Sequence, residues 1–283
     1  MTAANTSPGT SPERAPEGVP VAPVLKDRVA LVFGAGSSGP GWGNGKATAV
    51  TFARAGAIVV AIDINAAAAE ETRAIIAGEG GRVEAATCDV TNAAQIKALV
   101  DDVAARHGRI DVLHNNVGIT VMGGILEETE ESFKRVLDIN LTSAFLTTKH
   151  CLPHMLKRGK GAIVNVSSVA AIRYSYPYPS YQASKAGLNQ LTMSTALQYA
   201  KQGIRANAIM PGMMDTPLIY QQIVSQYESA DAMRAARAAK TPMGRQGTGW
   251  DIANAALFLA SDAAGYISGV ALPVDGGLTC LAI

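Results

Sequence analysis

Tyr181-Gln-Ala-Ser-Lys185 sets a phenol and an ammonium four residues apart. On a helix that interval brings both side chains to one face, where the cation favours the phenolate and lets the phenol exchange protons near neutral pH. An unperturbed Tyr titrates at about 10, and each unit of depression takes about 1.4 kcal/mol of differential stabilisation, which a Lys in a partly dry cleft supplies. Tyr/Lys pairs are also common on solvated helix faces, so this one gains its meaning from its surroundings. Ser168, in a Ser-Ser pair thirteen residues upstream, and Asn140, a further twenty-eight back, add a hydroxyl and an amide. Such a set suits proton transfer at an alcohol or carbonyl oxygen.

A second constellation lies near the amino end. A strand-like run enters Gly34-Ala-Gly-Ser-Ser-Gly39-Pro-Gly41-Trp-Gly43-Asn-Gly45-Lys46, and a helical stretch follows. A glycine-rich turn that opens a helix lets a pyrophosphate approach backbone N–H groups and the positive end of the helix dipole. Asp63 closes the next strand-like run, eighteen residues after Gly45. A carboxylate there accepts hydrogen bonds from an adenosine ribose and repels a 2′-phosphate, which favours NAD over NADP; the other reading of Asp63 is a turn or helix cap. Lys46 is the counterargument, since a cation near the turn helps an NADP phosphate, but its position after the last glycine points it to solvent.

Strand-like runs rich in Val and Ile, at 28–33, 57–62, 82–86, 110–115, 162–166, 204–209 and 270–273, alternate with helix-length segments at 46–55, 66–77, 92–107, 129–157, 180–201 and 250–260. The alternation predicts right-handed crossovers and a seven-stranded parallel sheet of doubly wound, Rossmann type, covered by helices on both faces in a single α/β domain. Residues 213–240 carry no strand pattern and read either as a helical lid over the ligand crevice or as a surface insertion.

The chain has 283 residues, 48% of them hydrophobic, ample for one large core. With 24 basic and 23 acidic residues its net charge of +1 gives no field to recruit nucleic acid or an anionic membrane, and a small molecule is the expected partner. Residues 1–24 are rich in Pro, Ser and Ala and are expected to form a disordered tail ahead of a catalytic domain over 25–283. No targeting segment or membrane span is evident, and Cys88, Cys151 and Cys280 form no Cys-x-x-Cys, which fits a reducing cytoplasm. His150 and His154 have helical metal-ligand spacing, but Pro153 is expected to interrupt the helix and no acidic neighbour or motif accompanies them, so no metal site is expected.

Taken together, Tyr181 with Lys185, the Ser-Ser pair, Asn140 and the glycine turn resemble the short-chain dehydrogenase/reductase family over nearly all of residues 26–277. Cys88-Asp89-Val90, Asn115-Asn116-Val117-Gly118, Pro211-Gly212 with Thr216, and Asp275-Gly276-Gly277 strengthen the match. The resemblance implies that Tyr181 is the general acid/base, that Lys185 lowers its pKa and holds the nicotinamide ribose, that Ser168 binds the substrate oxygen and that Asn140 anchors a proton-relay water. It implies cofactor contacts at Gly34, Gly43, Asn44, Gly45, Asp63 and Ile64, at Asp89 and Val90 for adenine, at Asn116 and Gly118, and at Pro211, Gly212, Met214 and Thr216. Ser167 is the competing serine, and the family interval to the Tyr selects Ser168. Two departures stand out. Phe33 replaces the usual Thr before the first glycine, so the turn must be braced differently. Five extra residues, Pro40 and Trp42 among them, precede Gly43, and that loop either overhangs the pyrophosphate or bulges into solvent.

The expected reaction is NAD-linked interconversion of a secondary alcohol and its ketone, which needs a fixed nicotinamide, a proton partner at the oxygen and a hydrogen bond to the developing alkoxide. Tyr174, Tyr176 and Tyr178 suggest an aromatic pocket wall that Met122, Met213, Met214 and Leu218 extend, as for a cyclic or bulky alcohol, although core packing explains each singly. Arg173 is either a carboxylate ligand or a surface residue. Two rivals remain at this level: an NADPH-dependent ketone or 3-oxoacyl reductase, which Asp63 disfavours, and a non-enzymatic NAD sensor, which the retained polar residues disfavour. The family further implies a homotetramer, with the 129–157 and 180–201 helices pairing at one interface and the terminal strand region near another; the apolar ending after Gly277, uncomfortable in water, is expected to pack on a neighbour.

Overall fold

The computed structural model describes residue 22, residues 24–174 and residues 177–281. The expected tail apart from residues 22 and 24, Tyr176 and the last two residues of the apolar ending lie outside the described residues.

Seven strands form one parallel sheet in the order β3-β2-β1-β4-β5-β6-β7. They are β1 Val29–Phe33, β2 Ile58–Asp63, β3 Arg82–Thr87, β4 Val112–Asn115, β5 Gly161–Val166, β6 Ile204–Pro211 and β7 Ala271–Val274. Leu31 pairs with Val60 on one side and Leu113 on the other. Alternate β1 residues face opposite layers because strand side chains alternate. Ala30 and Val32 pack with Phe52, Ile76, Ile252 and Leu259, whereas Val29, Leu31 and Phe33 pack with Ile96, Val100, Val103, Cys151 and Met155. Both faces are thus covered, and this explains why the central strands β1 and β2 read as nearly unbroken apolar runs.

The first layer contains α1 (Asn44–Arg54), α2 (Ala66–Gly78) and α9 (Gly249–Ala260); the second contains α3 (Ala93–His107), α5 (Ser143–Arg158) and α6 (Pro179–Tyr199). Their starts follow local chemistry. Asn65 and Asn92 accept from the free N–H groups opening α2 and α3, and Thr248 with Asp251 closes a capping box on α9. The segment expected as one helix over 129–157 is α4 (Glu130–Leu137), a π turn at Asp138–Thr142 and then α5. Pro153 does not interrupt α5, contrary to expectation: the helix runs through it, and only the carbonyl one turn earlier forfeits its partner.

The strand order reverses between β1 and β4, and there the chain leaves a crevice at the carboxyl ends of the strands. Residues 213–240 fold as α7 (Pro217–Ile223) and α8 (Ala230–Ala239) and contribute to its wall. No described helix is long and apolar enough to cross a membrane.

Candidate active site

The crevice is a cleft of about 1120 Å³. A smaller concavity of about 660 Å³ at the amino ends of the strands is lined by Arg28, Arg109, Asp111, Lys160 and Asp262, which pair with one another, and by none of the candidate residues.

At one end of the cleft the chain turns out of β1 with Gly34 at φ +76. A Cβ on Gly45 would stand 1.8 Å from the Gly34 carbonyl oxygen, so α1 starts against the turn only because residue 45 has no side chain. Three side chains brace the turn in place of the hydroxyl that Phe33 lacks. Asn116 Nδ2 donates to the Gly34 carbonyl at 2.9 Å, Thr72 Oγ1 to the Ala35 carbonyl at 2.8 Å, and Asp63 Oδ2 accepts from the Gly36 N–H at 2.9 Å. Asp63 Oδ1 also takes the Asn65 N–H at 3.0 Å. Gly36 was not among the glycines singled out, yet a Cβ there would meet Asp63 Oδ2 at 2.8 Å.

Ser37 Oγ and Asn44 Oδ1 line this end, are shielded from solvent and have no hydrogen-bond partner in the protein. Buried polar atoms are rarely left so. The Ser37 hydroxyl, which can donate, fits a phosphate-bearing group together with the free N–H groups opening α1, whereas Asn44 Oδ1 can only accept and suits a ligand hydroxyl; Asp63, Ile64, Asp89 and Val90 line the adjoining wall. The Asp89 carboxyl is held below the usual range by the backbone and then the hydroxyl of Thr91. The extra loop is anchored on its inner side, although Ser38 and Pro40 remain exposed. Gln221 Nε2 of α7 donates to the Ser38 carbonyl, Trp42 packs on Trp250 with ring centres 4.7 Å apart, and Pro217 lies beside Gly39 and Gly41. Lys46 does not point to solvent. It is 4% exposed, 2.6 Å from Glu71 and 5.0 Å over the Trp42 ring, because the loop folds back and roofs it.

Tyr181 and Lys185 share one face of α6, which opens with Pro179 in its first turn. Lys185 is 3% exposed; its Nζ donates to the Val166 carbonyl at 2.8 Å and lies 5.7 Å from the Tyr181 ring centre. Burial pulls the ammonium down to about 8. Burial also pushes the Tyr181 phenol up to about 12; its hydrogen bond with Ser168 pulls it back and Tyr178 adds a smaller upward push. The Tyr181 shift thus runs upward, opposite to the lowering expected from Lys185. The ammonium faces a carbonyl, and desolvation of the phenolate outweighs it.

Ser168 Oγ accepts from the Ala170 N–H at 3.1 Å and favours the Tyr181 phenolate, while the neighbouring Ser167 Oγ turns inward to the Lys185 carbonyl at 3.0 Å. Asn140 sits in the π turn, 1% exposed. Its Oδ1 accepts from the Ile119 N–H at 2.8 Å, and its Nδ2 donates to the Ile119 carbonyl at 2.9 Å and to Ser184 Oγ at 3.0 Å. Both amide protons are used, so toward a relay water Asn140 can offer only a remaining lone pair of Oδ1. It clamps the segment after Gly118 against α6. A Cβ on Gly118 would lie 3.1 Å from Lys185 Nζ and 3.5 Å from Asn140 Oδ1.

Gly34, Gly43, Asn44, Asp63, Asn116, Gly118, Pro211, Gly212, Met214 and Thr216 all line the cleft, as do Ser168, Tyr181 and Lys185. Gly45 and Asn140 stand behind the wall and shape it. Of the pocket candidates, Met122, Tyr174, Tyr178, Met213 and Leu218 line the other end; Tyr178 meets Tyr181 edge to face at 5.2 Å. Thr120 was missed. Its Oγ1 is shielded, lines the cleft and has no partner, and only its place just after the clamped Ile119 signals it in the sequence.

The two helix-spaced histidines do have an acidic neighbour: His154 Nε2 is 3.2 Å from Asp101 across the α3/α5 contact. Even so, among the described residues no three side chains gather as metal ligands would.

A family model described as enoyl-(acyl carrier protein) reductase matches residues 40–279. The chain is 42% identical to cis-4-hydroxycyclohexanecarboxylate dehydrogenase of Sinomonas cyclohexanicum over 90% of its length and 98% of that protein. It is 37% identical to a 3-oxoacyl-[acyl-carrier-protein] reductase of Thermotoga maritima over 90% and 98%. A solved structure from Burkholderia xenovorans, assigned as a short-chain dehydrogenase/reductase, superposes with a TM-score of 0.89 at 42% identity, covering 92% of this chain and 99% of the other. Levodione reductase superposes with a TM-score of 0.85 at 33% identity, covering 91% and 99%.

Proposed function

The chain belongs to the short-chain dehydrogenase/reductase family, and from that premise we propose that it is an NAD-linked oxidoreductase interconverting a cyclic or otherwise bulky secondary alcohol and its ketone. The observation that carries the reading is Tyr181 and Ser168 together at the wall of one cleft, with Lys185 buried behind them on the same helix face as Tyr181. Bound NAD supplies the hydride acceptor and a positively charged ring. Everything else falls to the chain. Ser168 Oγ and Tyr181 Oη hold the substrate oxygen between them and stabilise charge developing on it. Tyr181 Oη receives the hydroxyl proton in oxidation and returns it in reduction.

With its phenol near 12, Tyr181 starts as an acid, ready for ketone reduction. Alcohol oxidation needs the phenolate, which the Lys185 ammonium favours once it turns from the Val166 carbonyl toward the ribose and phenol. Asn140, through Ile119, keeps Gly118 pressed against Lys185 and so sets where that ammonium lies.

Two features support NAD over NADP. Asp63 presents a carboxylate beside the adenosine wall, and Lys46, the cation that would favour a 2′-phosphate, is engaged by Glu71. The size and apolar character of Met122, Tyr178, Met213 and Leu218 support a cyclic or bulky substrate, as does the similarity to a hydroxycyclohexanecarboxylate dehydrogenase. Residues 213–240 act as the lid of that end, with Gln221 hooking it to the glycine turn. The exposed Phe133, Phe145, Met193 and Leu197 on α4 to α6 support a homotetramer, which sedimentation showing only monomer would refute. All three cysteines are free, in keeping with a reducing cytoplasm.

The test is a screen of cyclic and aliphatic alcohols with NAD and NADP, read at the NADH absorbance band. Tyr181→Phe is expected to cut turnover by a thousandfold or more while NADH affinity changes less than threefold. Normal turnover in that variant, or tighter binding of NADP, removes the acid/base or the cofactor assignment respectively.

A further inference from the structure

Charge is unevenly distributed along the cleft. The only carboxylates among its described lining residues, Asp63 and Asp89, both belong to the adenosine end. Around Ser168 and Tyr181 the wall is apolar: Val169, Tyr174, Tyr178, Met213 and Leu278. Arg173 stands in this wall. It follows the short turn of 3-10 helix at Val169–Ala171 that leaves Ser168, so its place relative to that hydroxyl is set by a few residues of ordered backbone.

The Arg173 guanidinium donates through Nη1 to the Leu278 carbonyl. No acidic side chain among the described residues forms an ion pair with it. A guanidinium carries five N–H donors in a rigid fork and stays charged throughout the physiological range, so one carbonyl satisfies little of its capacity. In an apolar wall without a counter-ion, such a fork matches a planar carboxylate, which can take two parallel hydrogen bonds from it. Leu278 O acts as a brace that fixes the direction of the fork.

We propose that the substrate is an alcohol whose carbon frame also bears a carboxylate, and that Arg173 binds that carboxylate while Ser168 and Tyr181 hold the hydroxyl. The hydroxyl half rests on the alcohol-oxidoreductase reading above. The carboxylate half is a binding property and is tested without turnover.

The experiment is calorimetric titration of the full chain saturated with NADH, using cyclohexanecarboxylate and its neutral isostere cyclohexanecarboxamide as probes. Wild type is expected to bind the carboxylate at least tenfold more tightly than the amide. In R173Q that ratio falls to within twofold of one, and in R173K, which keeps the charge but not the fork, it is partly restored. Because both probes are measured on the same protein, a general loss of folding or cofactor affinity in a variant cancels from the ratio. A wild-type ratio at or below one, binding of neither probe, or a ratio that survives in R173Q overturns the proposal. Charge-selective binding through Arg173 in a protein that oxidises no alcohol would uphold the carboxylate half and overturn the hydroxyl half together with the reading on which it rests.

Discussion

At the phosphate end of the cleft a Cβ on Gly45 would lie 1.8 Å from a carbonyl oxygen, and three side chains hydrogen-bond the turn beside it. At the substrate end Tyr174 is 72% exposed and Leu218 39%, and the wall is contributed by loops and by the separate helices α7 and α8. The first end is fixed by backbone contacts that leave no room for adjustment, the second by side chains that can be exchanged singly. A scaffold of this kind keeps cofactor chemistry constant and lets the substrate change by substitution at a few positions.

Three measurements bear on that contrast. Gly45→Ala forces a methyl group into backbone, and we expect a loss of about 3 kcal/mol or more of stability together with at least a hundredfold loss of NADH affinity, measured by denaturant unfolding and fluorescence titration. A near-native Gly45→Ala protein would mean that the phosphate end is as adjustable as the other.

The second concerns what lies beneath that end. His114 of β4 is wholly buried against Phe52 of α1, neither ring nitrogen has a partner, and burial pulls its pKa down to about 3. Because the folded value is below the unfolded value near 6.5, the unfolded chain takes up the proton first; the stability is complete above about 6.5 and is lost as pH falls toward 3. The expected loss from this residue between pH 7 and pH 5 is about 2 kcal/mol. His114→Leu should flatten that part of the profile, and an unchanged slope would move the acid sensitivity elsewhere. The smallest effect is expected at the substrate end. Leu218→Ala should change KM for bulky alcohols by less than about fivefold, at a cost below about 1 kcal/mol, and leave NADH affinity unaltered. A larger effect on NADH affinity than on KM would show that the two ends are not separable.

The strands are legible in the sequence to within a residue or two because strands covered on both faces must be continuous apolar runs, as Ile58-Val59-Val60-Ala61-Ile62 is. The placement of Tyr181, Lys185 and Asp63 on one cleft was legible because it follows from spacing along one element or from the end of a strand, whereas Ser168 was chosen over Ser167 by the family interval to the Tyr. Lys46 was not. Its burial depends on Glu71, on another helix, and on a loop that folds back over it. Gly36 and Ser37 were passed over because the extra loop residues offered several glycines for the same roles, and only the contact between Gly36 and Asp63 separates them. The direction of the Tyr181 shift was misread because helical spacing reports proximity, whereas the balance is decided by desolvation from surrounding elements. Nor does hydrophobic periodicity disclose the π turn, since α4 and α5 each keep a helical pattern on their own.

That turn acts as a phase shifter. One additional residue in a single turn advances everything after it by about 100° around the helix axis. α4 can therefore address α6 while α5, continuing the same rod, addresses α3. Asn140 lies at the step between the two settings, aimed at Ile119. The aim of the amide is thus governed by a count of residues along the backbone, a quantity that no side-chain substitution nearby can alter.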